Sequence, residues 1–251
     1  MGNGRWYWAD CFEAMAKLPD GSVDMVLCDL PYGTTQNKWD AVIPFEPLWR
    51  EYWRVCKPNA AVVLTAAQPF TSALVMSQPD AFKYDWIWRK QIGRGHLNAK
   101  KMPLRDKEDI CIFYRNQPAY NPQMVAGKPY SAKSKGSERK INTQISSNYN
   151  YHEIGGNDNN GLRYPKQVIE FNTEERAIHP TQKPVALFEY LIRTYTRPGE
   201  LVLDNTAGSG TTAIAAENAG RRWVCMEREL DYSLKAMDRI ATHLSQRADA
   251  A

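Results

Sequence analysis

Short apolar runs alternate along this chain with stretches whose apolar positions recur every three to four residues. Val23-Asp24-Met25-Val26-Leu27-Cys28, Ala60 to Thr65, Leu201-Val202-Leu203 and Arg222-Trp223-Val224-Cys225-Met226 read as buried strands, and Arg5 to Asp10 as a shorter one. Helical spacing runs from Cys11 to Leu18 and from Phe45 to Val55, which stops before Pro58. It returns in Val185, Leu187, Phe188, Leu191, Ile192 and Tyr195, ending before Pro198-Gly199. A small-residue helix over 211–219 and a last helix over about 232–244 complete the set. Strand–helix–strand alternation of this kind predicts a mostly parallel sheet with crossover helices, an α/β Rossmann-like doubly wound fold.

Two runs differ. Tyr84 to Trp88 and Asp109 to Tyr114 are dense in aromatic and β-branched residues and predict adjacent strands closing one edge of the sheet. Alternation points Trp86 and Trp88 toward the core. From about 116 to 175 the text turns polar, rich in Asn, Gly, Ser and Lys, with no sustained period. Stretches of this length and composition are functional or irregular. The expected organisation is 1–115, an irregular insertion over 116–175, and 176–251. There is no internal repeat.

Composition adds three constraints. With 251 residues and 43% apolar content, the chain can bury one large core. No apolar run is long enough to cross a membrane and the N-terminus lacks a signal-peptide pattern, so a cytoplasmic, membrane-free protein is expected. Cys11, Cys28, Cys56, Cys111 and Cys225 form no CxxC pair, which predicts buried free thiols and no metal site. Net charge is only +4, but Lys83 to Lys140 holds 14 Lys or Arg against 5 Asp or Glu. A basic segment on an acidic body fits either a solvated lysine-rich loop or a nucleic-acid contact surface.

Two strings carry the candidate chemistry, each at the carboxyl end of a predicted strand, where open α/β sheets bind ligands. The first is Asp29-Leu30-Pro31-Tyr32. The second is Asp204-Asn205-Thr206-Ala207-Gly208-Ser209-Gly210, followed by Thr211. A glycine loop leading into a helix lets a ligand approach the backbone and meet unpaired N–H groups. Gly208 to Ala213 also fits the nucleotide pattern G-x-G-x-x-A, and Glu227 at the end of the next strand suits a ribose diol. The loop therefore implies an adenosine-containing cofactor and leaves methyl or hydride transfer open. Asp29-Leu30-Pro31-Tyr32 favours the former. A carboxylate and the adjacent Leu30 carbonyl can accept both N–H bonds of an exocyclic amine. Pro31 holds Leu30 extended, and Tyr32 offers a ring for an extruded base. Alone, the string is also compatible with a strand ending in a proline turn.

The first string resembles the Asp-Pro-Pro-Tyr box of amino-methyltransferases acting on nucleic-acid bases, and the second resembles their S-adenosylmethionine loop. The order, box before loop with a basic segment between, is similar to beta-type, circularly permuted DNA N6-adenine methyltransferases over nearly the whole chain. The resemblance implies a class I methyltransferase fold whose halves, 1–115 and 176–251, carry catalysis and cofactor binding, with 116–175 as a target-recognition insertion. It implies that S-adenosylmethionine meets Asp10, His179, Thr181, Lys183, Asp204, Asn205, Thr206, Gly208, Ser209, Gly210, Thr211 and Glu227. His179-Pro180-Thr181-Gln182-Lys183-Pro184 matches the family's segment upstream of the loop, and Asp10 serves equally as a helix N-cap. Double-stranded DNA is the implied partner, with Lys90, Arg94, Lys100, Lys101 and Arg105 as phosphate contacts. A homodimer is a family expectation with no signal in the spacing. Two departures stand out: Leu30 where proline is common, and Asn205-Thr206 where Pro-Phe is frequent. The alternatives are cytosine N4 methylation, which more often carries Ser in place of Asp29, RNA adenine methylation, and a non-catalytic DNA-binding relative. An oxidoreductase would need a catalytic set that the chain lacks.

Overall fold

The computed structural model describes residues 2–35, 37, 40–129, 160–174, 178–179 and 181–249. Met1–Asn121 with Lys166–Ala251 forms one compact unit and Pro122–Pro165 a second.

The first unit is built on β1 (Gly4–Trp8), α1 (Cys11–Met15), β2 (Val23–Asp29), α2 (Phe45–Val55), β3 (Cys56–Ala66), α3 (Phe70–Ser77), β4 (Phe82–Arg94) and β5 (Arg105–Phe113). Beyond the second unit, which contains β6 (Val125–Ala126) and β7 (Leu162–Arg163), it continues with β8 (Val168–Glu170), α4 (Val185–Tyr195), β9 (Leu201–Asp204), α5 (Thr211–Ala219), β10 (Arg222–Glu227) and α6 (Leu230–Asp249). Eight strands make one sheet in the order β1-β10-β9-β2-β3-β5-β4-β8. Neighbours from β1 through β3 are parallel, β5 is antiparallel to both β3 and β4, and β8 is parallel to β4.

Side chains alternate along β2 and so feed two cores. Val26 and Cys28 join the core on which α1, α2 and α3 pack, while Met25 and Leu27 join that of α4, α5 and α6. This explains the continuous apolar runs: strands covered on both faces have no polar side to show. In α2, Leu48, Trp49, Tyr52 and Val55 supply the buried stripe. All five cysteines are buried and unpaired, and no described helix is long and apolar enough to cross a membrane.

The predicted helices over 45–55, 185–195 and 211–219 are observed with those bounds. The aromatic runs form adjacent strands, with Trp86 facing Ile110, and Trp86 and Trp88 are core residues. They do not close the sheet; β8 does, by pairing Ile87, Trp88 and Arg89 with Val168, Ile169 and Glu170. Residues 166–174 therefore belong with the sheet, and the second compact unit spans Pro122–Pro165. In that second unit β6 and β7 pair antiparallel. Gly161 there has φ +96°, and a Cβ on it would stand 2.8 Å from the Gly127 carbonyl oxygen. Half of the predicted insertion, 130–159, lies outside the described residues, as does Pro180. The sequence pattern does not reveal α3, because Phe70-Thr71-Ser72-Ala73-Leu74-Val75-Met76-Ser77 has no charged face to set a period.

Candidate active site

The strings at Asp29 and Asp204 lie 175 residues apart in sequence but sit at the ends of adjoining strands, since Met25 and Val26 of β2 pair with Val202 and Leu203 of β9. A cavity of about 800 Å³ opens there. Asp10, Asp29, Leu30, Pro31, Tyr32, His179, Thr181, Lys183, Asn205, Gly208 and Glu227 all line it. Its size is that of a site for one or two small organic groups.

Asp29 is held by three donors. Tyr32 Oη donates to Asp29 Oδ1 at 2.8 Å, Thr65 Oγ1 to the same oxygen at 2.5 Å, and Lys183 Nζ to Oδ2 at 2.6 Å. Thr65 is the register partner of Asp29 on β3. A carboxylate offers about four lone-pair directions, and the donors among the described residues take three. Burial, with Asp29 and Glu108 beside it, pushes the Tyr32 hydroxyl well above its usual range, and Tyr32 remains a donor. Its ring stacks on Phe70 with centroids 5.0 Å apart.

Lys183 does more here than the sequence implies. The resemblance assigns it to the cofactor, yet its ammonium bridges Asp29 and Glu108, whose Oε2 is 3.2 Å away. Burial opposes that charge, but the two carboxylates outweigh it and hold the Lys183 pKa above the usual lysine value. Lys90 pairs with the other oxygen of Glu108. Burial raises the Glu108 pKa, and Lys183 and Lys90 more than reverse it, so the net shift is downward. Lys90 thus serves the site's internal charge balance and also lies 4.9 Å from the Trp88 ring centroid. Of the predicted phosphate contacts, Arg94 and Arg105 face each other across β4 and β5 at the cavity rim, and Lys100 and Lys101 are exposed.

The glycine loop is fixed from behind. Gly208 and Gly210 take φ +49° and +74°, conformations that side chains disfavour. Asp204 accepts from Thr206 N at 3.0 Å and from Thr212 Oγ1 at 2.5 Å. Burial pushes its carboxyl up to about 7. Ser209 and Thr211 are buried and turn toward Arg239, which donates to the Ser209 carbonyl and to Thr211 Oγ1. Thr206 Oγ1 donates to the Asp29 carbonyl at 3.1 Å and ties the two strings together. Asn205 lines the cavity and accepts from Tyr52 Oη and Cys28 Sγ, while its own Nδ2 is fully buried, with the Cys11 thiol beside the Asn205 side chain. Glu227 accepts from Gly208 N at 2.9 Å and Glu229 N at 2.8 Å. Asp10 caps α1 through Phe12 N at 2.8 Å and lines the cavity as well, so both of its readings are compatible. The His179 and Tyr232 rings meet edge to face with centroids 4.3 Å apart, and burial lowers the His179 pKa. Thr181 N donates to His179 Nδ1 at 3.3 Å.

Thr65 and Glu108 have no motif of their own. Their only signal is a polar residue at the end of an apolar run and an acid inside an aromatic strand. Asp40 is a third such residue. Its carboxylate accepts from the N–H groups of Gly33, Thr34 and Thr35 at 2.7–3.0 Å and pins the chain just after Tyr32.

A family model for N6/N4 methyltransferases, described as DNA methylase, matches residues 23–238, from the start of β2 into α6. The chain belongs to this DNA methylase family. The methylase is 26% identical over 250 residues to YubD of Escherichia coli (strain K12), named as a methylase candidate, covering 94% of this chain and 90% of that one. It is similar in fold to the M1.HpyAVI–SAM complex, with TM-score 0.62, 24% identity and coverage of 94% and 99%. It is also similar to PvuII DNA methyltransferase, described as cytosine-N4-specific, with TM-score 0.67, 16% identity and coverage of 98% and 93%. The methylase therefore has the class I methyltransferase architecture, with the Asp29 string ahead of the Asp204 string in the chain.

Proposed function

We propose that this methylase transfers a methyl group from S-adenosylmethionine to the exocyclic N6 of an adenine turned out of double-stranded DNA. The observation that carries the reading is Asp29, a carboxylate held by three donors among the described residues and lining the same cavity as the glycine loop. The residues present fit the cofactor. Glu227, a carboxylate on the cavity lining, supplies ribose acceptors, and the positive-φ glycines leave room against the backbone. Bound there, S-adenosylmethionine would supply an electrophilic methyl group, its sulfonium leaving as a neutral thioether while the methylated amine gives up one proton to solvent.

The amine of adenine is a poor nucleophile because its lone pair is delocalised into the ring. Asp29 and the Leu30 carbonyl accept its two N–H bonds and turn the nitrogen toward the donor side of the cavity. As the amine gains positive charge, the Asp29 carboxylate stabilises it. Lys183 and Thr65 fix that carboxylate, so little reorganisation is needed at the moment of transfer. Tyr32, backed by Phe70, packs against the base.

Mass spectrometry of nucleosides from DNA incubated with the protein and labelled cofactor tests the reading. N6-methyladenine is the expected product. N4-methylcytosine would place the enzyme with the other branch, which the PvuII similarity also fits, and label in RNA alone would contradict DNA as substrate.

A further inference from the structure

The hairpin joining β4 to β5 rises from the rim of the active-site cavity. Trp88, Lys90, Arg94, Arg105 and Glu108, all on these strands, line the same space as Asp29 and Tyr32. Beyond the rim the hairpin displays Ile92, Leu97, Met102 and Leu104 to solvent. Leu97, at 89% exposure, is the most exposed large apolar side chain among the described residues. From Trp86 to Arg105 the sequence has six Lys or Arg and no Asp or Glu. Arg89 pairs with Glu170 and Lys90 with Glu108. Arg94, Lys100, Lys101 and Arg105 form no ion pair among the described residues.

The tip is an ordered structure. Gly95, at φ +93°, turns the chain into a 3-10 turn over His96–Asn98. Asn98 N donates to the Gly95 carbonyl at 2.9 Å and Lys101 N to the Asn98 carbonyl at 2.8 Å. A Cβ on Gly93 would stand 2.8 Å from Leu104 Cβ, so the strands close tightly below the turn. A hairpin with an apolar tip and, among the described residues, cations without ion pairs on its flanks complements a polyanion with an apolar interior. A DNA duplex with one base removed from its stack has that character, and apolar side chains are used elsewhere as wedges between base steps.

We propose that the β4–β5 hairpin opens the duplex, with Leu97 occupying the gap left by the target base and Arg94, Lys100, Lys101 and Arg105 on the flanking phosphates. The proposal rests on the reading of the chain as a methyltransferase of DNA bases, and it adds the element that exposes the base. Extrusion is easiest for a base without a pairing partner. The wedge therefore matters for a paired target and not for an unpaired one.

The test uses duplexes carrying the sequence that the wild-type protein methylates, with the target base either paired or facing an abasic position. Leu97→Ala slows single-turnover transfer on the paired duplex by roughly tenfold or more and leaves the abasic-opposed duplex within about twofold of wild type. Leu97→Met, which keeps an apolar tip, restores most of the paired rate. Position 97 is exposed, so the melting temperature stays at the wild-type value. Equal slowing on both duplexes, no slowing on either, or a dimer lost in Leu97→Ala by sedimentation overturns the proposal. Wild-type transfer to the paired duplex is the control for the proposed function. Its absence would overturn both readings, whereas Leu97 is judged by the ratio between the duplexes.

Discussion

Lys183 Nζ lies 2.6 Å from Asp29 Oδ2 and 3.2 Å from Glu108 Oε2, so one buried ammonium joins the end of β2 to an acid on β5. With Lys90 on the far side of Glu108, negative and positive groups alternate through the wall of the site. Removing one member leaves an uncompensated buried charge, which costs about 3–5 kcal/mol. Lys183→Met is therefore expected to lose both turnover and thermal stability. Lys183→Arg, which keeps the charge in a different shape, retains the stability and loses most of the turnover. Melting curves beside single-turnover rates check this; a Lys183→Met protein with wild-type values in both would remove Lys183 from the account.

The Tyr32 hydroxyl is bonded to the Asp29 carboxylate and does not point idly to solvent. Hydrogen bonds to charged groups contribute about 1.5–3 kcal/mol. Tyr32→Phe should then lower the methyl-transfer rate roughly ten- to hundredfold, with cofactor affinity unchanged. Tyr32→Ala also loses the ring and falls further. Equal rates for Phe and Tyr would mean that the ring alone matters.

Cofactor binding tests the loop. Gly208 has φ +49°, and a Cβ there would meet the His179 ring at 3.7 Å. Gly208→Val adds backbone strain of roughly 1–2 kcal/mol and fills the approach to the loop. Glu227→Ala removes acceptors that hold Gly208 N and Glu229 N as well as those offered to a ribose. Calorimetry should show weaker S-adenosylmethionine binding for both variants, and unchanged affinity in both would make the loop purely structural.

Asp204 sets a pH dependence. Its folded pKa is raised by burial from 3.8 to about 7. Between those values the folded state holds a proton that the unfolded state releases, so this group's contribution to stability falls as pH rises from about 4 through 7. Asp204→Asn removes the titration. The melting temperature of the variant relative to wild type should accordingly rise between pH 5 and pH 8. A constant difference would mean that the buried carboxyl does not titrate in that window.

The pattern of apolar residues made the strands and most helices legible because burial on two faces leaves a strong local signal. The Asp29 and Asp204 strings were legible because strand ends in parallel sheets hold ligands. The partners of Asp29 were not. Lys183 is 154 residues away in sequence, and only the meeting of β2, β5 and the turn before α4 creates the contact. Likewise β8, a three-residue strand in polar text, is specified by its pairing with β4 and not by its own composition. Lys90 reads as one more cation in a basic run until Glu108 is placed beside it.

The central claim is that the Asp29 carboxylate orients the amine of a DNA base toward a methyl donor held by the glycine loop. Single-turnover methyl transfer by Asp29→Ala, at cofactor and DNA concentrations that saturate the wild type, tests it most directly. The account predicts a rate lower by roughly a hundredfold or more, with S-adenosylmethionine affinity unchanged by calorimetry. A rate comparable to wild type would contradict it.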